Sequence, residues 1–167
     1  RLATRSGLAR RSAGAERMIR LADRPISAGD LLNEFCAGRT DAGAVVSFTG
    51  LTRMQTAGAA VSRLTLDAYP GFTETVMAGI EAEARARFDI QDVLAVHRWG
   101  ALEVGEPIIF VAVAAEHRRA AFEAADYLMD QFKTRAPFWK REHLVDGRLG
   151  GWVEASEADD AAAGRWA

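Results

Sequence analysis

Residues 108–115, Ile-Ile-Phe-Val-Ala-Val-Ala-Ala, form a nearly continuous apolar run. A strand with one face in water alternates apolar and polar residues, so a run without alternation is expected of a strand buried on both faces. The neighbouring segments give it company. Residues 61–69 alternate, with Val61, Leu64, Leu66 and Ala68 apolar, and read as a strand closed by the Pro70-Gly71 turn. Residues 73–88 carry Val76, Ile80 and Ala84 at helical spacing. Residues 92–99 read as a strand, 100–107 as a turn-rich link, and 138–145 as another strand. Residues 117–135 read as a helix with Phe122, Ala125, Leu128, Met129 and Phe132 along its core side. The resulting β-α-β-β-α-β order from Val61 to Val145 predicts an α+β fold, a two-layer sandwich with helices on one face of a mainly antiparallel sheet.

The flanks are shorter pieces. Met18-Ile19-Arg20-Leu21 reads as an opening strand, and Ser27 to Asp30 followed by Leu31, Leu32 and Phe35 as a capped short helix ending near Gly38. Residues 43–49 read as a strand and 50–60 as a loop containing Arg53. A Gly-rich turn leads to Trp152-Val153-Glu154-Ala155, and the Ala/Asp-rich tail from Glu157 is expected to fray. This predicts one domain over residues 18–156, a C-terminal tail over 157–167, and a basic arm over 1–17. The arm holds Arg1, Arg5, Arg10, Arg11 and Arg17 against Glu16, which leaves sixteen cations and twenty-two acids in residues 18–167. It is expected to be disordered or non-native, with the natural start at Met18. It has no apolar core of a secretory signal, although it mimics a mitochondrial presequence.

The net charge of −2 gives no general pull toward nucleic acid or anionic membrane. No apolar run approaches the roughly 20 residues of a membrane span, and the cytoplasm is the default location. The one cysteine, Cys36, excludes an internal disulfide and a cysteine-only metal site. Beside Leu32 and Phe35 on a helix, it reads as a small buried hydrophobe. His97, His117 and His143 lack a shared-face spacing, so neither a metal nor a cofactor is expected.

The segment Lys133 to Glu142 interleaves Lys133, Arg135, Lys140 and Arg141 with Pro137, Phe138 and Trp139. Pro137 must end the helix before it, so Lys133 sits near a helix C-terminus and Lys140 beyond the break. Two such lysines can converge on one site from different elements, and a lysine among other cations is the usual source of a reactive amine. Taken alone, the segment is equally a solvated helix end whose cations complement the macrodipole. His97 and Arg98 share a strand and point to opposite faces, so one is expected to line a pocket and the other to be structural. His117, Arg118 and Arg119 open a helix, where cations oppose the macrodipole; this suggests anion or partner binding, or else a slightly unfavourable solvated end. With Arg53, Arg98, His117, Arg118, Lys133 and Lys140 available and no carboxylate pair, the set suits a phosphate-bearing substrate or a carboxylate-presenting partner.

The blocks Val96-His97-Arg98-Trp99-Gly100, Val104-Gly105-Glu106, Ala115-Glu116-His117-Arg118, Lys133 through Glu142, and Trp152-Val153-Glu154-Ala155, in this order and spacing, resemble the large, catalytic subunits of molybdopterin synthases (MoaE type). The resemblance runs from about Met18 to Trp166. It implies an α/β hammerhead with an added antiparallel β subdomain. It implies a sulfurtransferase of molybdenum cofactor biosynthesis that converts cyclic pyranopterin monophosphate (precursor Z) to molybdopterin. The sulfur donor would be the C-terminal Gly-Gly thiocarboxylate of a small ubiquitin-like partner subunit, threaded into a pocket of the large one. A homodimer of large subunits would form the core of a heterotetramer. Residue by residue, Lys133 and Lys140 match the catalytic lysines. Arg53 and Phe48 match positions near the tail and pocket, and Met129 a pocket-lining position. His117 and Arg118 match a pair that binds the pterin phosphate, contributed by the neighbouring subunit. Ser156 departs from the family, which commonly has Arg there; Arg141 or Arg148 would substitute. Two non-enzyme readings stand beside this one: an anion- or small-ligand-binding α+β domain, and an RNA-binding module built on Phe138 and Trp139 among cations. The acidic remainder of the chain speaks against the second.

Overall fold

A computed structural model describes residues 18–56, 59–153 and 156–167. The basic arm over 1–17 and the Glu154-Ala155 end of the tryptophan block lie outside the described residues. The elements run β1 (Ile19–Ala22), α1 (Ala28–Cys36), β2 (Ala44–Leu51), β3 (Gln55–Thr56), β4 (Ala59–Ala68), α2 (Phe72–Arg87), β5 (Asp92–Arg98), β6 (Gly100–Glu103), β7 (Pro107–Ala115), α3 (Arg118–Arg135), β8 (Phe138–Leu144), β9 (Leu149–Val153) and α4 (Glu157–Gly164).

The apolar run becomes β7, one of the two inner strands of a four-stranded sheet ordered β1-β5-β7-β2. It pairs antiparallel with β5 and β2, while β1 pairs parallel with β5. Its side chains divide by parity, as a pleated strand requires. Ile109, Val111, Val113 and Ala115 pack with Met77, Ile80 and Ala84 of α2 and Ala121, Ala124, Leu128 and Phe132 of α3. Phe110, Ala112 and Ala114 pack with Leu94 and Val96 of β5 and with Phe35, Leu31 and Leu32 of α1. The two long helices cover one face, and the short α1 closes the other. Ser27 caps α1 by accepting from the Asp30 amide at 3.3 Å.

The six core elements occur in the expected order, but they are shared between two sheets. β4 and β8 leave the β5–β7 sheet and pair with each other, Leu66 opposite Lys140 and Ala68 opposite Phe138. β3 and β6 pair with β4, and β9 pairs with β8, giving the smaller antiparallel sheet. The link over 100–107 supplies the physical reason. It contains β6, which Gly100 and Gly105, at φ 86° and 87°, turn back onto β4. Leu64, Leu66 and Leu102 form the sheet's own small core, joined to the rest by Ile108.

Three local expectations are corrected. The segment from Glu157 does not fray; it forms α4 against α3. Arg165 bonds Asp130 at 2.7 Å and Asp126 at 2.6 Å, the Trp166 indole N–H donates to Asp130 at 2.7 Å, and the Trp166 ring packs edge-on against Phe88 and Tyr127. Cys36 is exposed, because the neighbouring Phe35 takes the core position and one helical residue rotates the next by about 100°. Phe122 is 61% exposed for the same reason. The buried stripe of α3 runs through Ala121, Ala124, Ala125, Leu128 and Phe132 instead.

Phe110, 1% exposed, and Phe122 test this assignment directly. Phe110→Ala is expected to lower stability by about 3–5 kcal/mol, whereas Phe122→Ala is expected to stay within about 0.5 kcal/mol in the monomer. Urea denaturation of both variants measures the contrast.

Candidate active site

A cleft of about 500 Å³ lies where the two sheets and α3 meet. Leu66, Ile108, Ile109, Met129, Phe132 and Phe138 give it apolar walls, and Arg53, His97, Lys133, Lys140, Ser156 and Asp159 supply its polar groups. Few polar groups on an apolar concave surface is the usual make-up of a ligand site.

Each polar group arrives from a different piece of chain. Lys133 sits in the last turn of α3, which ends at Arg135 with Ala136 as its C-cap, immediately before Pro137. Lys140 comes from β8, on the same face as Phe138 and Glu142 because strand residues two apart share a face. Arg53 follows β2, in the segment whose Thr52 amide donates to the Glu106 carbonyl at 3.0 Å. The proline therefore does what its chemistry demands: it separates the lysines onto two elements that turn back on one another.

Both lysines have a carboxylate as their nearest charged partner, not another cation. Lys133 Nζ donates to Asp159 Oδ1 at 2.9 Å, and Lys140 Nζ lies 3.2 Å from Glu142 Oε1. The partners differ in kind. Glu142 is buried. Asp159 belongs to α4 and is fixed by a capping box: its Oδ2 accepts from the Ser156 amide at 3.1 Å and the Ser156 hydroxyl at 2.8 Å. The Lys133 bond and the Ser156 bonds outweigh desolvation and hold the Asp159 carboxyl at about 2, below its ordinary 3.8. Ser156 thus has a role of its own as the α4 cap.

His97 forms part of the cleft wall. Its ring stacks on Phe138 with centroids 3.7 Å apart and planes 18° apart, and its Nδ1–H donates to the Arg98 carbonyl at 2.7 Å. Burial pushes its pKa down to about 4, against the opposing pull of that backbone bond. Arg98 faces the other way and is structural. Its side chain is buried, donates to the Ala101 carbonyl at 3.0 Å and stands 3.6 Å from Glu106.

The structure brings Arg53, Met129, Lys133 and Lys140 onto this cleft and leaves the other candidates elsewhere. Phe48 lines a neighbouring groove of about 440 Å³ with Val46, Phe122, Ala125 and Met129; Met129 borders both spaces. His117 and Arg118 line a separate groove of about 420 Å³ with Gly43, Glu116 and Arg119, which shares no lining residue with the cleft. Arg141 lies on the opposite face of β8 from Lys140 and stacks over Trp152 at 4.0 Å. Arg148 pairs with Asp146 at 2.7 Å. Asp159 and Glu142 were not among the candidates, and Phe138 entered only as a stacking surface for RNA. The two-residue spacing from Lys140 could have pointed to Phe138 and Glu142, and the capping-box spacing Ser156-x-x-Asp159 could have pointed to Asp159. Among the described residues no cluster of three metal-ligating side chains occurs, and no helix is long and apolar enough to cross a membrane.

Comparison with known proteins places this geometry among relatives. The family described as MoaE protein matches residues 21–135. The molybdopterin synthase catalytic subunit of Caulobacter vibrioides is 49% identical over 149 residues, covering 89% of this chain and 97% of that protein. The structure of the molybdopterin biosynthesis MoaE protein from Burkholderia ambifaria superposes with a TM-score of 0.74 at 37% identity, over 88% of this chain and 95% of the other. At 19% identity, the fold recurs with a TM-score of 0.66 in a complex of subunits 1 and 2 of the molybdopterin-converting factor from Helicobacter pylori, covering 84% of this chain and 91% of that one.

The Asp159 pairing generates a pH test. A carboxyl whose folded pKa is depressed stabilises the fold above its unfolded value and ceases to do so as pH falls through the folded value. Asp159→Asn is expected to lower the melting temperature by about 1–4 °C at pH 7, the pair being partly exposed. The gap should close between about pH 4 and pH 2. Calorimetric scans of both proteins across that range are the measurement; a gap that ignores pH would remove the pair from the account.

Proposed function

The chain belongs to the MoaE protein family, and on that premise we propose that it is the sulfur-transferring catalytic subunit of a molybdopterin synthase. One observation carries the reading. Lys133 from the end of α3 and Lys140 from β8, either side of Pro137, open onto one apolar-walled cleft with Arg53. Such a cleft suits a slim glycine tail ending in a thiocarboxylate, whose terminal charge meets the cations. It suits equally a flat, anionic pterin, and the reaction needs both in contact.

In this reading the small ubiquitin-like partner presents its Gly-Gly thiocarboxylate at the lysines, and precursor Z receives the sulfur. The two lysines divide the work according to their settings. Lys140, beside the buried Glu142, is the fixed cation that holds the thiocarboxylate or phosphate. Lys133, beside the more exposed Asp159, is the amine free to exchange partners, to move protons, or to take up the acyl group of the tail. His117 and Arg118 cannot serve the same cleft from their own groove, so they act on the pterin phosphate bound at a second copy. Phe48 and Phe122, both exposed beside Met129, provide apolar surface for a contact between copies. The reaction is placed in the cytoplasm.

Reconstitution with a thiocarboxylated partner and precursor Z tests the assignment. Lys133→Ala is expected to nearly abolish dithiolene formation, and Lys140→Ala to slow it by roughly 10²–10⁴-fold, with partner binding retained in both and the melting temperature of Lys133→Ala lowered by no more than the about 1–4 °C expected of Asp159→Asn. Near-normal turnover by Lys133→Ala would remove that residue from the chemistry. Deleting the two terminal glycines of the partner should stop transfer while only partly weakening association, measured by calorimetry.

A further inference from the structure

The polar side chains of the cleft are unevenly matched to a heterocyclic ligand. Arg53, Lys133 and Lys140 are donors only. Ser156 and Asp159 are engaged with each other, and Asp159 also with Lys133. A pterin brings N–H donors of its own, and a buried donor left without an acceptor costs binding. The remaining polar side chain in the cleft wall is His97.

Its tautomer follows from its neighbour. A backbone carbonyl can only accept, so the 2.7 Å contact of Nδ1 with the Arg98 carbonyl places the ring hydrogen on Nδ1. Nε2, at the tip of the ring, is then a lone-pair acceptor, and it bonds no group among the described residues. The Phe138 stack and the carbonyl together fix the plane in which that lone pair lies. The ring stays neutral, since burial holds its pKa at about 4. We propose that His97 is a substrate-orienting residue, whose Nε2 accepts a hydrogen bond from the exocyclic amino group of the pterin bound in the cleft. The inference rests on the substrate class proposed above. It adds a reading of the base to the reading of the anion by the cations.

Two measurements test it. Nitrogen-15 NMR of the unliganded protein should show His97 as the Nδ1–H tautomer; an Nε2–H tautomer would overturn the proposal without any substitution. Calorimetry should then compare a pterin monophosphate with its lumazine counterpart, in which an oxo acceptor replaces the amino donor. Wild type is expected to prefer the pterin roughly tenfold or more. His97→Phe keeps a ring against Phe138 but has no acceptor, and should bind both compounds at the weaker level. His97→Gln, which can still accept, should keep part of the preference. Retention of the full preference by a folded His97→Phe would sink this proposal alone. Failure of wild type to bind either compound would instead bring down the substrate reading on which it rests.

Discussion

The whole architecture follows from β7 needing cover on both faces. A strand with apolar residues at every position cannot leave a side in water, so one helical layer is not enough. α2 and α3 take the side of Val111 and Val113, and α1 takes the side of Phe110 and Ala112. The same requirement locates the cleft. Ile108 and Ile109, at the start of β7, lie where the helical layer gives out and the second sheet begins. The cleft is the place where covering one strand is handed from helices to another sheet, and the first isoleucines of that strand form part of its apolar wall.

Pro137 imposes the second constraint. It ends α3 and lets the chain enter β8 directly, with no intervening loop beyond Ala136. Residues seven apart thereby line one cavity from two elements instead of lying two turns apart on one helix. The alternation of β8 sorts its side chains: Phe138, Lys140 and Glu142 toward the interior, Trp139, Arg141 and His143 toward the outside. Thr65 and Trp152 engage the outward set. One strand thus serves the site with one face and the sheet's outer surface with the other.

Local chemistry made much of this legible. The β7 run, the Ser27 cap, the Pro70-Gly71 turn and the break at Pro137 are each decided within a few residues, and each was readable. So was the division of His97 and Arg98 between wall and core, because strand parity is local. What escaped depends on partners distant in sequence. The switch of β4 into a second sheet is set by its pairing with β6, some forty residues on. Cys36 and Phe122 were misjudged because helical spacing leaves the edge of a stripe ambiguous by one residue. α4, at eight residues, is too short to hold on propensity alone despite its four alanines; Trp166 against Tyr127 and Arg165 against Asp130 hold it. Tertiary contacts of this kind leave no periodic trace in the sequence.

The position of α4 in the chain has a consequence for biosynthesis. Every strand of both sheets and both long helices precede it in the chain, so neither sheet needs α4 to complete its strand pairing. A product terminated just before this helix would keep β7 covered on both sides, although Phe88 and Tyr127 would lose Trp166. It would nevertheless carry Lys133 without its carboxylate. Such a chain would hold its two sheets and lack its finished site.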